Sequence, residues 1–466
     1  MPYILAIDIG SNKICALVAR IENGSPVIVG SGVAKSQGLK KGAIVNIELA
    51  ASAIKNAVDY ASKQAGVETP HAIVSVSGAY ITSVDSQGKA SLPTKEIAVK
   101  DINRAMQTAI YHAVVAKDCE ILHALPYNFK VDDQCGVQDP VGMSGSMLEM
   151  SVHIITAQKS AMENLRKTIR AAGVEIENLV FSGYASAIAV LSDDEKELGA
   201  CVIDIGASTC NLVVYANNAP RANGFLPVGG AHITADLSMA LHTPPYAAER
   251  VKLEYGSFYS RPSVAGDKPR AEPSVQNIEI PKIGNENETH LVSLDIVSTV
   301  IGARVEETLM ILAGQLERSR LKGVLGAGVV LTGGASKHSG LADVAAYSFG
   351  SIPVRIARPK PLSGLVESLR DPVYSVALGL IRYAANESAL YEFDSAGNLR
   401  YRPHKGSVEQ ENVQAIAESL GKLDSGGEES GTKKTNLADI ITTPDIAKPG
   451  IKGRLKQCWE WLTTMF

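Results

Sequence analysis

The sequence predicts an α/β protein built from two similar halves, and two observations support this prediction. From Met1 to about Ala384, strand-like apolar runs alternate with amphipathic stretches, a pattern typical of α/β architecture. The stretch ILAIDIGSNKICALVA, near the start, has a counterpart in ACVIDIGASTCNLVVY at 200–215. A repeat at this separation indicates two related halves that face each other.

Composition and charge narrow the possible classes of protein. Apolar residues make up 45% and charged residues 20% of the 466 residues, which is ordinary for a globular protein. The net charge of −4 provides no general attraction to nucleic acid or anionic lipid, so we expect no nucleic-acid partner, and attraction to a negative partner must be local. The six cysteines lack zinc-site spacing and fit a reducing cytosol. We expect neither a signal peptide nor a transmembrane helix.

Each copy of the repeat predicts a β-hairpin whose turn could bind phosphate. The two turns consist of Gly10, Ser11, Asn12 and Lys13, and of Gly206, Ala207, Ser208 and Thr209. A glycine permits a tight backbone path, and successive N–H groups can converge on an anion. Asp8 and Asp204 end the preceding strands and could hold a hydrated Mg²⁺ ion. The alternative is two ordinary hairpins, but the aspartate at the same offset in both favours a clamp for a nucleoside triphosphate.

Three further segments are rich in small residues. GVVLTGGASKHSGL, at 328–341, predicts a strand, a turn at Gly333 and Gly334, and a helix capped near Ser336. The glycine pair could let the backbone approach a flat ring, although a plain strand-to-helix turn remains an alternative. FSGYASAIAVL at 181–191 and SVALGLIRYA at 375–384 predict helices that pack closely between domains.

This ordered set of segments resembles the actin–Hsp70–hexokinase superfamily. Within it, several stretches are similar to FtsA, the actin-like family of bacterial cell division: GLKKGAIVNIELAASAIKNAV, HALPYNFKVDDQCGVQDPVGMSG, VHIITAQKSAMENLRKTIRAAGVEIENLVFSG and LPVGGAHITADLSMALHTPPYAAERVKLEYG. The second of these is the most specific. The resemblance covers roughly residues 3–385 and the terminal peptide.

The resemblance implies an actin-like fold of two ribonuclease H-like halves with an inserted α+β subdomain. The implied parts are subdomain IA at 1–83 with 166–196 and 359–385, the inserted subdomain at 84–165, IIA at 197–227 with 306–358, IIB at 228–305, a flexible linker at 386–450 and an amphipathic helix at 451–466.

The resemblance also implies that ATP and Mg²⁺ bind between the halves, at the two turns and the two aspartates. Gly333, Gly334, Ala335 and Lys337 match the adenosine segment. Glu249 and Lys252 match residues that approach the nucleoside, although a solvated helix face would explain them too.

Two departures from the superfamily pattern concern catalysis. Ala207 and Ser208 replace glycines of the second turn, and Asn211 stands where an aspartate is common. The connecting segment has Ser182 and Gly183 in place of a carboxylate or glutamine that orients water. We therefore expect ATP binding with at most slow hydrolysis.

The C-terminal peptide IKGRLKQCWEWLTTMF predicts an amphipathic helix after a linker rich in Gly, Ser, Glu and Lys. On a helix its apolar side chains share one face, and three basic residues and one acidic residue give it a charge of +2. The residues expected to contact the membrane are Ile451, Leu455, Trp459, Trp461, Leu462 and Phe466. A helix docked on its own protein is the alternative. The resemblance implies an anchor in anionic lipid at the inner face of the cell membrane.

The implied partners are the C-terminal peptide of FtsZ, further copies of the chain in an actin-like filament, and later division proteins. Arg304 matches the region that contacts FtsZ, although it could instead pair with Glu306 or Glu307. Two competing interpretations are a small-molecule kinase, which would need a catalytic base in the cleft, and a pilus-assembly adaptor of the PilM type, which would lack the terminal helix.

Overall fold

The structure is a computed structural model that describes residues 3–256, 276–364 and 367–402. The predicted terminal helix at 451–466, with all its predicted membrane-contact residues, lies outside the described residues, as does the predicted linker from 403 onward. Within the described ranges, no helix is long and apolar enough to cross a membrane.

The chain up to residue 190 forms eleven strands and four helices. The first segment contains β1 (Tyr3–Ile9), β2 (Lys13–Glu22), β3 (Ser25–Lys35), β4 (Leu39–Lys40), β5 (Ala43–Ile44), α1 (Ile47–Ala65) and β6 (His71–Val76). The second contains β7 (Ile81–Ser91), α2 (Val99–His112), β8 (Cys119–Val131), β9 (Gln134–Val137) and β10 (Met147–Gln158). The third contains α3 (Lys159–Ala171), β11 (Glu175–Phe181) and α4 (Ser182–Val190).

The described chain after residue 190 follows the same alternation. It contains α5 (Asp193–Leu198), β12 (Ala200–Ile205), β13 (Cys210–Ala216), β14 (Ala219–Leu226), α6 (Gly230–Ala240), α7 (Pro245–Tyr255), β15 (Asn277–Lys282), β16 (Asn285–Ser293), α8 (Leu294–Arg318), β17 (Gly328–Thr332), α9 (Leu341–Ser348), β18 (Val354–Ile356), α10 (Ser375–Ala384), β19 (Tyr391–Phe393) and β20 (Leu399–Tyr401). Short 3₁₀ helices lie at Lys322–Val324, Gly334–Lys337, Glu367–Arg370 and Pro372–Tyr374.

Two five-stranded sheets have the same topology, which confirms the predicted two related halves. The first sheet has the order β11-β6-β1-β2-β3, and the half of the molecule that contains it is called domain I. The second has the order β18-β17-β12-β13-β14, and its half is called domain II. In each sheet an antiparallel hairpin is followed by a third antiparallel strand, and two parallel strands complete the other side. The repeated sequence therefore occupies the third and fourth strands of both sheets, in the orders just given.

Helices α4 and α10 lie between the two sheets and cross at a point of very close contact. Helix α10 packs on β1, β2 and β6 of domain I, and α4 contacts β12 and β13 of domain II. A Cβ atom added at Gly379 would lie 1.9 Å from the carbonyl oxygen of Ala185. Only a glycine lets the two backbones approach this closely, as the small residues of both segments predicted.

The inserted subdomain consists of β7–β10 and α2, with its own apolar core. Its boundary differs from the predicted 84–165, because β7 begins at Ile81 and β10 ends at Gln158. Helix α3 packs on α1 and β11 and so belongs to domain I. Helix α8 runs without a break through residues 305 and 306, where the sequence predicted a boundary between IIB and IIA, and residues on both sides contribute to one core.

The prediction that the flexible linker begins at 386 is wrong for residues up to 402. Strands β19 and β20 form a hairpin, and β19 pairs with β8, so that the inserted sheet has the order β20-β19-β8-β10-β7. The buried aromatic side chains of Tyr391 and Phe393 join the core of the inserted subdomain. Burial of these side chains offsets the ordering entropy of this segment.

Glu392 is also fully buried in this hairpin. Its carboxylate accepts hydrogen bonds from His123 Nδ1 at 2.7 Å, from Tyr383 Oη at 2.8 Å and from Tyr184 Oη at 3.1 Å. The ring of His123 carries its proton on Nδ1, because Nε2 accepts a hydrogen bond from the backbone N–H of Phe181. The hairpin is thereby attached to the inserted subdomain and to both interdomain helices.

Candidate functional site

The first predicted turn lies between β1 and β2, at the end of the domain I sheet that carries Asp8. A Cβ atom at Gly10 would lie 2.7 Å from the carbonyl oxygen of Lys13, so the turn is closed too tightly for a larger residue. Ser11 is partly exposed and Asn12 is exposed, and the carbonyl oxygen of Asn12 accepts a hydrogen bond from the N–H of Ser36 at 3.0 Å. The turn is thus bonded to the residue that directly follows β3.

Lys13 places an ammonium group at this turn, and no group in the part of the chain that the structure describes forms a hydrogen bond with it. Its Nζ atom is buried and lies 3.1 Å from the centroid of the Tyr374 ring. Burial lowers the pKa of Lys13, while the nearby Asp8 carboxylate acts in the opposite direction. A buried cation whose burial is not offset by a hydrogen bond would be strongly stabilised by a phosphate group.

Asp8 and Asp204 lie at corresponding positions of the two central strands and are both buried. Asp8 Oδ1 accepts a hydrogen bond from Ser75 Oγ at 3.0 Å, and Asp204 Oδ2 accepts one from Ser186 Oγ at 2.7 Å. Burial raises the pKa of each carboxyl group to about 6, and the charge of Asp8 further raises that of Asp204. Two carboxylates that burial destabilises in this way are suited to a divalent cation.

The second predicted turn, between β12 and β13, is held by the start of α6. The N–H groups of Gly230 and Ala231 donate to the carbonyl oxygens of Gly206 at 3.0 Å and Ala207 at 2.7 Å. Thr209 is buried, while Ala207 and Ser208 are partly exposed. Sequence reasoning missed Gly229, where a Cβ atom would lie 2.5 Å from the Gly206 carbonyl oxygen. The consecutive glycines in LPVGGAH were the available signal.

One hydrogen bond joins the two halves directly beside these turns. Ser77 Oγ, just after β6 in domain I, donates to Asn211 Oδ1 on β13 of domain II at 2.9 Å. Asn211 is the residue that departs from the superfamily pattern. Its partner Ser77 had not been predicted, because their contact joins residues far apart in the sequence.

The predicted Gly-Gly segment adopts a 3₁₀ turn, and the helix expected near Ser336 begins only at Leu341. Gly333 has a φ of 89°, and a Cβ atom there would lie 2.2 Å from Asp204 Oδ1. Ser336 is buried and its hydroxyl donates to the Gly333 carbonyl oxygen, so it closes the turn instead of capping a helix. The segment thus lies directly against the second aspartate.

A small apolar pocket adjoins this segment. The residues that line it are Ile205, Gly229, Gly230, Ile233, Val305, Thr308, Leu309, Ala335 and Leu341. Ala335 was predicted, whereas the residues from α8 were missed, because the amphipathic pattern of that helix does not distinguish a pocket wall from ordinary core.

Glu249 and Lys252 bond to each other and to α6. Lys252 is buried, and its Nζ atom donates to Glu249 Oε2 at 2.6 Å, Thr234 Oγ1 at 2.9 Å and the Gly230 carbonyl oxygen at 3.1 Å. The solvated-face alternative is therefore wrong for Lys252. Lys337 is half-exposed and forms an ion pair with Asp371 at 2.8 Å.

Arg304 lies on α8, and two carboxylates hold it in place. Its Nε and Nη2 atoms donate to Asp236 at 2.5 and 3.1 Å, and Nη1 contacts Glu307. The hydrogen bond to Asp236 is the main reason that the pKa of Arg304 is raised. Pairing with Glu307 was the alternative expectation, whereas Asp236 was not predicted. An acidic partner would have to share this guanidinium with both carboxylates.

The arrangement fits a magnesium–triphosphate group better than it fits a metal held by protein alone. The charges of Lys13 and Asp8 act on each other, and the charge of Asp8 acts on Asp204, so these groups of the two hairpins lie near one another. Within the described ranges, no three His, Cys, Asp or Glu side chains cluster closely enough to hold a metal ion. A magnesium ion would therefore depend on phosphate and water oxygens, which it commonly retains.

The chain is similar in sequence to family models and to individual known proteins. Residues 201–379 match the family model for cell division protein FtsA, and residues 78–156 match the model for the SHS2 domain inserted in FtsA. The chain is 41% identical to cell division protein FtsA of Helicobacter pylori over 425 residues, covering 85% of each chain. It is 35% identical to FtsA of Pseudomonas aeruginosa over 387 residues, covering 83% of this chain and 90% of that relative.

Solved structures show the fold. A chain of the PilM–PilN type IV pilus biogenesis complex aligns with a TM-score of 0.56 at 18% identity, covering 82% of this chain and 98% of that one. MreB5 of Spiroplasma citri bound to ADP aligns with a TM-score of 0.51 at 13% identity, covering 83% and 98%. The fold is actin-like, and the sequence similarity over most of its length shows that the chain belongs to the FtsA family of cell division proteins.

Proposed function

We propose that the protein binds ATP with Mg²⁺ between domains I and II and acts in cell division as an adaptor that links FtsZ filaments to the membrane. The observation that carries the nucleotide proposal is the pair of buried aspartates, Asp8 and Asp204, each ending the strand before a tight turn from a different half. Lys13 would contact phosphate, and the segment from Gly333 to Ala335 with its apolar pocket would receive the adenosine.

The bound metal would supply charge neutralisation for the phosphates. The residues of this chain would hold the nucleotide and exclude water, and we propose that hydrolysis is slow. Helix α4 is buried along its whole length and carries no carboxylate or glutamine. Its serine hydroxyls are engaged, because Ser182 donates to the Val76 carbonyl oxygen and Ser186 to Asp204. This helix therefore offers no free group to position an attacking water.

The proposed membrane and partner contacts are supported by the sequence and by family membership. The amphipathic pattern of 451–466 and its positive charge favour a helix that lies on anionic lipid at the inner face of the cell membrane. We propose that the C-terminal peptide of FtsZ binds near Arg304, that copies of the chain assemble into actin-like filaments, and that later division proteins are recruited at the division site.

Co-sedimentation with liposomes tests the adaptor function. The full chain and a variant that ends at residue 450 are each mixed with anionic or neutral vesicles, with and without ATP and purified FtsZ. We expect the full chain to pellet with anionic vesicles and to bring FtsZ with it, whereas the shortened chain stays in the supernatant. Equal pelleting of the two chains would show that 451–466 is not the anchor. If the full chain pellets with the vesicles but FtsZ stays in the supernatant, the proposed link between FtsZ and the membrane is refuted.

A further inference from the structure

The inserted subdomain is connected by the chain to domain I only, yet it also contacts domain II. Its strands β7, β8 and β10 lie against β14, the edge strand of the domain II sheet. The subdomain thus bridges the two halves at a place separate from the interdomain helices and from the two hairpin turns. Two polar contacts hold this bridge.

The first contact is made by His153 on β10. It is 3% exposed, and its two ring nitrogens both face oxygen atoms. Nδ1 lies 2.8 Å from Asp85 Oδ1 on the neighbouring strand β7, and Nε2 lies 3.0 Å from Asn223 Oδ1 on β14. His153 therefore joins a carboxylate of the inserted subdomain to a carboxamide of domain II.

The second contact is a cation–π pair. The guanidinium carbon of Arg221 on β14 lies 3.8 Å from the centroid of the Tyr127 ring on β8. The Nε atom of Arg221 is buried and has no hydrogen-bond partner among the described residues. A buried donor without a partner is destabilising, and it would regain water if the surfaces separated. The contact can therefore hold the closed arrangement without making it permanent.

The connections of the inserted subdomain make this contact relevant to the cleft. The subdomain leaves domain I between β6 and β7 and returns between β10 and α3, where Gln158 is followed at once by Lys159. If the cleft opens by a rotation of domain II about α4 and α10, β14 moves relative to domain I. Either the two contacts must then break or the inserted subdomain must follow domain II.

We propose that the pairs His153–Asn223 and Tyr127–Arg221 form a latch that holds domain II closed, so that the position of the inserted subdomain sets the rate of nucleotide release. The proposal rests on the proposed binding of nucleotide between the domains. These four are positioning residues, because they act on the nucleotide only through the closed arrangement. Anything that draws the inserted subdomain away from β14 would accelerate nucleotide exchange.

Stopped-flow displacement of a fluorescent ATP analogue from the full chain tests the latch. Arg221→Ala and Asn223→Ala should each raise the release rate about three- to tenfold, the effect of losing one cation–π pair or hydrogen bond. The association rate should stay near that of the wild type, which a general loss of structure would not produce. Arg104→Ala is the control, because Arg104 pairs with Asp101 on α2 within the inserted subdomain.

Hydrogen–deuterium exchange without nucleotide provides a second measurement, in which the β14 amides of both variants should exchange faster than those of the wild type and of Arg104→Ala. Release at the wild-type rate from both variants would overturn the latch while leaving nucleotide binding intact. A wild-type chain that binds no nucleotide would refute the proposed function, and the latch with it. If Arg221→Ala fails to fold, Asn223→Ala decides, since Asn223 is only partly buried.

Discussion

Burial changes the acid–base properties of two single residues, Asp8 and Asp204. Each carboxyl group has a pKa raised from 3.8 to about 6, chiefly by burial. A carboxyl group with a higher pKa in the folded chain contributes stability below its unfolded pKa, and this contribution is lost as the pH rises through 6. At neutral pH the nucleotide-free protein therefore carries two destabilising charges, which a bound cation would compensate.

The substitution Asp204→Asn should stabilise the nucleotide-free protein at pH 7.5, because it removes one buried charge. The pKa shift corresponds to a gain on the order of 3 kcal/mol in the free energy of unfolding. The gain should shrink as the pH falls from 6 toward 4, where the wild-type carboxyl group is itself protonated. Urea unfolding at several pH values measures this, and a difference that does not change with pH would contradict the assignment.

The substitution Lys13→Met should weaken ATP binding at least tenfold, because a phosphate group would lose its ammonium partner. A hydrogen bond to a charged group contributes about 1.5–3 kcal/mol. Isothermal titration calorimetry with Mg²⁺ measures the affinity. Lys35→Met is the control, since Lys35 is exposed and lies opposite Lys13 in the β2–β3 register. Equal affinities for wild type and Lys13→Met would remove Lys13 from the site.

At the scale of elements, the crossing of α4 and α10 depends on a single glycine. The crossing brings the backbones of Ala185 and Gly379 into contact and holds both helices between the two sheets. The atom that a new Cβ would meet belongs to the backbone, so no side-chain rotation can relieve the clash.

The substitution Gly379→Ala should lower the free energy of unfolding by about 1–3 kcal/mol, the usual effect of overpacking a core. Gly302→Ala, on α8, is the matched control. Nothing lies within 4 Å of a Cβ atom at Gly302, so the higher helix propensity of alanine should leave stability unchanged or raise it slightly. Chemical denaturation of the two variants compares them, and equal stabilities would show that the crossing tolerates a methyl group.

At the scale of the whole molecule, Glu392 unites parts that are distant in the chain. Its carboxylate bonds to the inserted subdomain through His123 and to both interdomain helices through Tyr184 and Tyr383. The segment that precedes the proposed linker and membrane anchor is therefore bonded to three separate elements, β8, α4 and α10. Removing it would leave three buried polar groups without their acceptor.

A chain that ends at residue 385 should be less stable than one that ends at residue 402 by at least about 3 kcal/mol, because it lacks Glu392 and the β19–β20 hairpin. The chain that ends at 402 should unfold at nearly the same temperature as the full chain. Differential scanning calorimetry of the three chains measures this difference. Equal melting of the 385-residue and 402-residue chains would show that the hairpin is dispensable for stability.

Local patterns were sufficient to predict the two hairpins, the glycine turns with their aspartates and the small-residue helices, because each depends on neighbours in the chain. The aspartate and glycine spacing in DIGSN and DIGAS specifies strand and turn without reference to the rest of the molecule. For the same reason the repeat predicted two halves, and the shared sheet order confirms them.

Contacts between distant residues could not be predicted in this way. Four contacts each join residues at least 70 positions apart: the pairing of β19 with β8, the His123–Glu392 hydrogen bond, the Ser77–Asn211 hydrogen bond and the contact of the inserted subdomain with β14. Composition even suggested a flexible linker where a buried hairpin lies. Burial and hydrogen bonding of a side chain depend on what surrounds it after folding, and that environment is assembled from the whole chain.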